Sequence, residues 1–148
     1  KNLPKISRTM AEVEAEGKYT YECLCKAVGY EVTGAPAMAC MCHCESCRVY
    51  GGAAGNVAAF PVDQVNYTKG RDTLIVYEGV PGKERMACKT CGSWVQNTLP
   101  NGLQIIPIGG LKTLSGPVLK PTMHIFTGDR GDMDMPTDEL PKHEGWPV

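Results

Sequence analysis

A mainly β fold is predicted by three features of this chain. Its 17 Gly and 11 Pro are spread as punctuation along 148 residues, a pattern of many short strands joined by turns. Between them recur segments rich in β-branched and aromatic residues, such as Tyr19 to Cys23 and Ala27 to Val32. Cysteine pairs fall where those segments turn, so metal or sulfur chemistry can staple short sheets that hold only 7% aromatic residues. The length suits one domain with its own core. It divides into a lead-in over residues 1–18, with a helical turn at Met10 to Glu16, and a single domain over residues 19–148.

The elements are expected in the following order. Two strands, Tyr19 to Cys23 and Ala27 to Val32, flank a tight turn at Leu24-Cys25-Lys26. Ala37 to Cys44 forms a third strand and runs into Glu45-Ser46-Cys47-Arg48, which opens a short helix or turn. Gly51-Gly52 leads into a strand from Ala53 to Phe60, followed by strands at Gln64 to Tyr67, Leu74 to Tyr77 and Glu84 to Ala87. Ser93 to Thr98 pairs with Leu103 to Ile108 across Pro100-Asn101-Gly102, a strong hairpin signal. Val118 to Thr127 closes the sheet system, and the polar tail from Gly128 wraps the surface.

Composition removes several function classes. The net charge is −1 without a basic cluster, so a nucleic-acid partner lacks its electrostatic footprint. No stretch approaches the roughly 18 to 20 apolar residues of a membrane helix, and the opening Lys1-Asn2-Leu3-Pro4-Lys5 lacks the apolar centre of a signal peptide. A reducing, cytoplasmic compartment is therefore expected.

Eight cysteines carry the chemistry. A disulfide within C-x-C is strained, whereas tight C-x-C and C-x-x-C clusters outside the secretory route are metal clips. Cys88-Lys89-Thr90-Cys91-Gly92 has the form of a zinc knuckle, in which Gly lets backbone N–H groups approach the sulfurs. Cys23 and Cys25 offer a second thiolate pair on the first hairpin. Together the two pairs can close a tetrahedral shell around a structural zinc.

The middle cluster, Cys40-Met41-Cys42-His43-Cys44-Glu45-Ser46-Cys47, differs. On a strand, positions 40, 42 and 44 share one face, and Cys47 returns after a turn. Cys42, Cys44 and Cys47 can hold one ion from three sides, and three protein ligands with an open position is the pattern of catalytic zinc. Cys40 either supplies a fourth thiolate and closes the site, or is a small buried hydrophobe.

These motifs resemble a known family. The order C-x-C, C-H-C-x-x-C-R and C-x-x-C-G, followed by Pro121-Thr122-Met123-His124-Ile125 and Leu140-Pro141-Lys142-His143-Glu144-Gly145-Trp146-Pro147, is similar to the glutathione-dependent formaldehyde-activating enzymes. The resemblance runs from about Tyr21 to Pro147. It implies a β-tent of packed antiparallel sheets, structural zinc on Cys23, Cys25, Cys88 and Cys91, and catalytic zinc on Cys42, Cys44 and Cys47. It further implies a carbon–sulfur lyase that joins glutathione and formaldehyde into S-hydroxymethylglutathione. Cys40 is not part of the family's usual ligand set.

A zinc with three thiolates carries net charge −1. Such a site is better suited to holding a substrate sulfur deprotonated than to activating water. The expected substrates are therefore a glutathione-like thiol and a small carbonyl compound. His124 is the candidate acid or base, set against a role as a hydrogen-bonded core histidine; His43 and His143 are weaker candidates. Arg48 either receives a substrate carboxylate or balances the anionic centre. The competing reading is a non-catalytic zinc scaffold that binds a protein partner.

Overall fold

The computed structural model describes residues 16–132 and 136–147. The helical turn expected at Met10 to Glu16 therefore falls almost wholly outside the described residues. Among the described residues, eleven strands build two sheets. The strands are β1 (Gly17–Glu22), β2 (Gly29–Gly34), β3 (Met38–Cys42), β4 (Gly55–Pro61), β5 (Val65–Lys69), β6 (Leu74–Val80), β7 (Lys83–Cys88), β8 (Trp94–Thr98), β9 (Leu103–Pro107), β10 (Leu111–Ser115) and β11 (His124–Ile125), with one short helix, α1 (Glu45–Gly51), between β3 and β4. The smaller sheet has the order β10-β1-β2-β5 and the larger the order β11-β3-β4-β9-β8-β7-β6. All pairs are antiparallel except β11 with β3. The mainly β expectation holds.

The alternation of side chains along a strand divides the interior in two. Ala39 of β3, Ala58 and Phe60 of β4 and Ile106 of β9 face the small sheet and join Tyr19, Tyr30 and Val32 in one core. Their neighbours Met38, Cys40, Cys42, Val57, Ala59 and Ile105 face the other way and form a second apolar cluster with Cys47 and Ile125. The central strands of the large sheet are thus apolar on both faces, and this second face carries the candidate site.

The two sheets are also tied by polar tips on apolar bodies. Tyr21 and Tyr30 stack with ring centroids 4.6 Å apart. Their hydroxyls donate across to β8, Tyr21 to the Trp94 carbonyl at 2.8 Å and Tyr30 to the Val95 carbonyl at 2.9 Å. Burial without a charge-stabilising partner raises the pKa of both phenols, so they remain donors at any ordinary pH.

Two expectations need correction. Val118 to Thr127 is not a full strand: only His124–Ile125 pairs regularly, parallel to β3. Pro117 and Pro121 lack the N–H a ladder requires, although Thr122 N–H still donates to the Ala39 carbonyl at 3.0 Å. Conversely, Leu111–Ser115 completes the small sheet beside β1. Its Lys-Thr-Leu-Ser sequence carried no strand signal strong enough to read, and pairing with β1 decides its conformation.

The tail does not merely cover the surface. His124 N–H donates to the Pro141 carbonyl at 2.7 Å, His143 N–H to the His124 carbonyl at 2.9 Å, and Phe126 N–H to the Gly145 carbonyl at 3.2 Å. It therefore lies along β11 as an extra strand-like layer and delivers Trp146 to the second apolar face.

Candidate metal centres and cavity

The sulfurs of Cys23, Cys25, Cys88 and Cys91 lie within 4.8 Å of one another. Two hairpin turns produce this. In the first, Lys26 adopts a left-handed φ of 62° and its N–H donates to the Cys23 carbonyl at 2.9 Å. In the second, Gly92 sits at φ 71°, where a Cβ would be strained, and its N–H donates to the Cys88 carbonyl at 2.8 Å. Nearest sulfurs are 3.6 Å apart for Cys23 and Cys25 and 3.7 Å for Cys25 and Cys88. A zinc–sulfur bond of about 2.3 Å gives a tetrahedron with edges of about 3.8 Å, so the cluster fits that ion and is too open for disulfides of about 2.05 Å.

The surroundings of this cluster favour thiolate. The Ser93 hydroxyl 3.2 Å from Cys91 Sγ, with the Ser93 backbone, holds the Cys91 thiol down at about 5. The Cys91 backbone N–H lowers Cys88. Val28 N–H donates to Cys23 Sγ at 3.3 Å.

The second group is Cys42, Cys44 and Cys47, again with all sulfurs within 4.8 Å. Cys42 ends β3, Cys44 occupies the N-cap of α1 at φ −62° and ψ 153°, and Cys47 lies buried in the first turn of that helix. The expected strand to Cys44 stops at Cys42, but the extended backbone at 44 still brings its sulfur to 3.5 Å from that of Cys42. The three thiols cannot all ionise unaided. Hydrogen bonding to Cys44 pushes Cys42 up to about 12, and Cys47 is raised by both partners, while the same bonds hold Cys44 at about 2. A cation at their centre is the charge that would let all three be thiolates, which is what the donor set of a divalent zinc requires.

Gly55 makes room for this group. It pairs with Cys42 in the β3–β4 ladder, and a Cβ there would come within 2.8 Å of Cys47 Cβ and 3.2 Å of its sulfur. Glycine inside a strand marks such an approach, so Gly55 itself is the sequence signal of this contact. Gly55→Ala is expected to push Cys47 out of position and weaken metal retention at this group roughly tenfold or more, as read by competition with a chromophoric chelator. The Gly51-Gly52 step, by contrast, lies exposed at the C-terminal end of α1, away from the sulfurs.

Beside the three sulfurs opens a cavity of about 280 Å³. Cys40, Cys42, Cys44 and Cys47 line one side, Glu45, Lys83, Asn97 and Asp129 supply its polar groups, and Phe126 and Trp146 stand at 5.2 Å in an edge-on contact. Cys40 is fully buried and does not belong to the three-sulfur group. Burial, and then the negative potential of Cys42 and Cys44, pushes its thiol up, so it stays protonated.

The remaining sequence candidates lie elsewhere. His124 is fully buried and His43 beside it, with His43 Nε2 at 2.7 Å from His124 Nδ1. His124 Nε2 sits 3.0 and 3.1 Å from the two oxygens of Asp138. A carboxylate only accepts, so His124 Nε2–H donates to it and Nδ1 faces His43. Arg48 Nε donates to the His43 carbonyl at 3.2 Å, and its guanidinium approaches Gly131. None of these side chains is among those lining the cavity. Instead they lock the β3–α1 turn to the tail. Asp138 could not be singled out beforehand, because nothing local in Thr-Asp-Glu-Leu marks a partner fourteen residues earlier.

The tail lock has a pH signature. The Leu140 N–H, followed by His124, holds the Asp138 carboxyl below its usual range. A lowered folded-state pKa contributes stability above the unfolded value of about 3.9, lost as pH falls through the folded value. Asp138→Ala is expected to speed amide exchange at His124 and Phe126 at neutral pH, and acid below about pH 4 should do the same to the parent protein only.

The described residues include no helix long and apolar enough to cross a membrane. An uncharacterized lyase from Schizosaccharomyces pombe is 30% identical over 86 residues, covering 57% of this chain and 61% of the relative. The chain thus spans about three fifths of that protein. A crystal structure of a Rhodobacter sphaeroides protein superposes with a TM-score of 0.52 at 23% identity, over 65% of this chain and 90% of that one, a likeness of fold. The family profile described as glutathione-dependent formaldehyde-activating enzyme matches residues 18–129, a span that holds all eight cysteines and both sulfur groups. The chain belongs to the glutathione-dependent formaldehyde-activating enzyme family.

Proposed function

We propose that the protein is a zinc-dependent carbon–sulfur lyase or synthase, forming or breaking an adduct between a glutathione-like thiol and a small carbonyl compound. The observation that carries this reading is the three-sulfur group opening onto a cavity. A purely structural site would complete its shell with a fourth ligand, as the Cys23–Cys25–Cys88–Cys91 group does, and would need no cavity beside it. Family membership and the relative named as a lyase support the same class.

In this reading Cys42, Cys44 and Cys47 hold the catalytic ion, and Cys23, Cys25, Cys88 and Cys91 hold the structural one. Bound there, zinc supplies a position at which a substrate thiol is kept deprotonated. The protein then places the carbonyl carbon against that sulfur within the cavity. The sulfur lone pair forms the carbon–sulfur bond, the carbonyl π pair moves to oxygen, and the proton lost by the thiol is regained there; the reverse direction retraces these steps. Lys83, whose charge also favours the Cys44 thiolate, is placed to meet a substrate carboxylate. Asp138, His124, His43 and Arg48 act as positioning residues for the metal-binding turn.

The test is exchange NMR of the zinc-loaded protein with glutathione and labelled formaldehyde. Acceleration of adduct exchange over the spontaneous rate is expected. Absence of acceleration with every thiol and carbonyl tried would overturn the proposal.

A further inference from the structure

The cavity of about 280 Å³ offers more apolar wall than formaldehyde, or a charged tripeptide such as glutathione, can cover, because burying charged groups against apolar walls is costly. The walls away from the sulfurs are Met38, Val57, Leu99, Ile105, Phe126 and Trp146. Several of these have no structural need to face a void, because an empty apolar cavity forfeits packing that a sheet face could otherwise make. The charged groups Glu45, Lys83 and Asp129 also line the cavity, together with Ser46, Ala59 and Asn97.

Asn97 adds a second observation. It is 3% exposed yet lines the cavity. Its Oδ1 accepts from Trp94 Nε1 at 3.0 Å, and the indole can only donate, so the orientation of the amide is set. The Nδ2 donors are what Asn97 has left for a ligand in the cavity it lines.

We infer that the natural substrate pair carries an apolar body of several carbons on the reacting carbon or sulfur, seated against Phe126 and Trp146, with its oxygen accepting a hydrogen bond from Asn97 Nδ2. This rests on the thiol–carbonyl reading above and names its substrate class: an aliphatic or aromatic aldehyde, or an apolar thiol. Asn97 is then a catalytic residue, since oxygen gains charge as the sulfur adds and a preplaced donor stabilises it.

The experiment measures acceleration over each pair's own spontaneous rate, using the zinc-loaded protein. One arm pairs glutathione with formaldehyde, propanal, butanal and benzaldehyde; the other pairs formaldehyde with ethanethiol, propanethiol and butanethiol in place of glutathione. Acceleration should rise by roughly three- to fourfold per added methylene in whichever arm matches the source of the apolar body, and Ala59→Leu, which fills the cavity wall, should abolish that rise. Asn97→Asp keeps the acceptor for Trp94 and removes the donor; it should lower acceleration on the order of a hundredfold while leaving the size ranking in place, with zinc content and near-ultraviolet dichroism verifying the fold. A best acceleration with formaldehyde and glutathione, unaltered by Ala59→Leu, would overturn the inference and leave the lyase reading standing. No acceleration with any pair would overturn both.

Discussion

Cys88→Ser is expected to unfold the protein, or to lower its melting temperature by tens of degrees. Cys88 contributes to the four-sulfur group that joins the β1–β2 turn to the β7–β8 turn, and its sulfur lies beside that of Cys25, 63 residues away in sequence. Binding of zinc at such a shell is worth roughly 10 to 16 kcal/mol in small zinc domains. That equals or exceeds the whole stability of an ordinary domain, about 5 to 15 kcal/mol. Part of the effect belongs to the chain, since closing a loop this long costs more than closing a short one. Thermal melts of the variant, and of the parent treated with a strong chelator, should agree. A Cys88→Ser protein that melts within a few degrees of the parent would show that the cluster does not hold the sheets together.

Cys44→Ala should do the opposite. Activity is expected to fall at least a thousandfold, to the spontaneous rate, with a small change in melting temperature. The three sulfurs of its group come from residues 42 to 47, so an ion held there would close a loop of only a few residues. By loop length alone it would contribute about 2 kcal/mol less than an ion at the other cluster. The adjoining packing of Val57, Ala59, Ile105 and Ile125 does not depend on it. Exchange NMR together with thermal melts separates the two outcomes; a collapse of stability equal to that of Cys88→Ser would make the second group structural as well.

The legible part of this protein was its local chemistry. The spacing of Cys23, Cys25, Cys88 and Cys91, and of Cys42, Cys44 and Cys47, specified both sulfur groups because each spacing matches a turn that converges its side chains. The hairpin across Pro100-Asn101-Gly102 was equally plain, since the turn residues and flanking strands agree. What escaped was set by distant neighbours. Leu111–Ser115 is a strand because β1 offers it an edge, and no short-range pattern encodes that. Asn97 reads as an ordinary strand residue until Trp94 claims its oxygen. His124 was open between an acid or base and a hydrogen-bonded core histidine; its place between His43 and Asp138 depends on where the tail returns. Cys40 shares the strand face of Cys42, as period-two alternation requires, yet sits one pair further from the turn that gathers the sulfurs.

The most direct test of the central claim is zinc per chain by elemental analysis, on the parent, Cys40→Ala and Cys44→Ala together. Two, two and one are the expected values. A single zinc in the parent, or loss of one on replacing Cys40, would contradict that claim, because the second group would then be either metal-free or a closed four-thiolate shell with no position for a substrate sulfur.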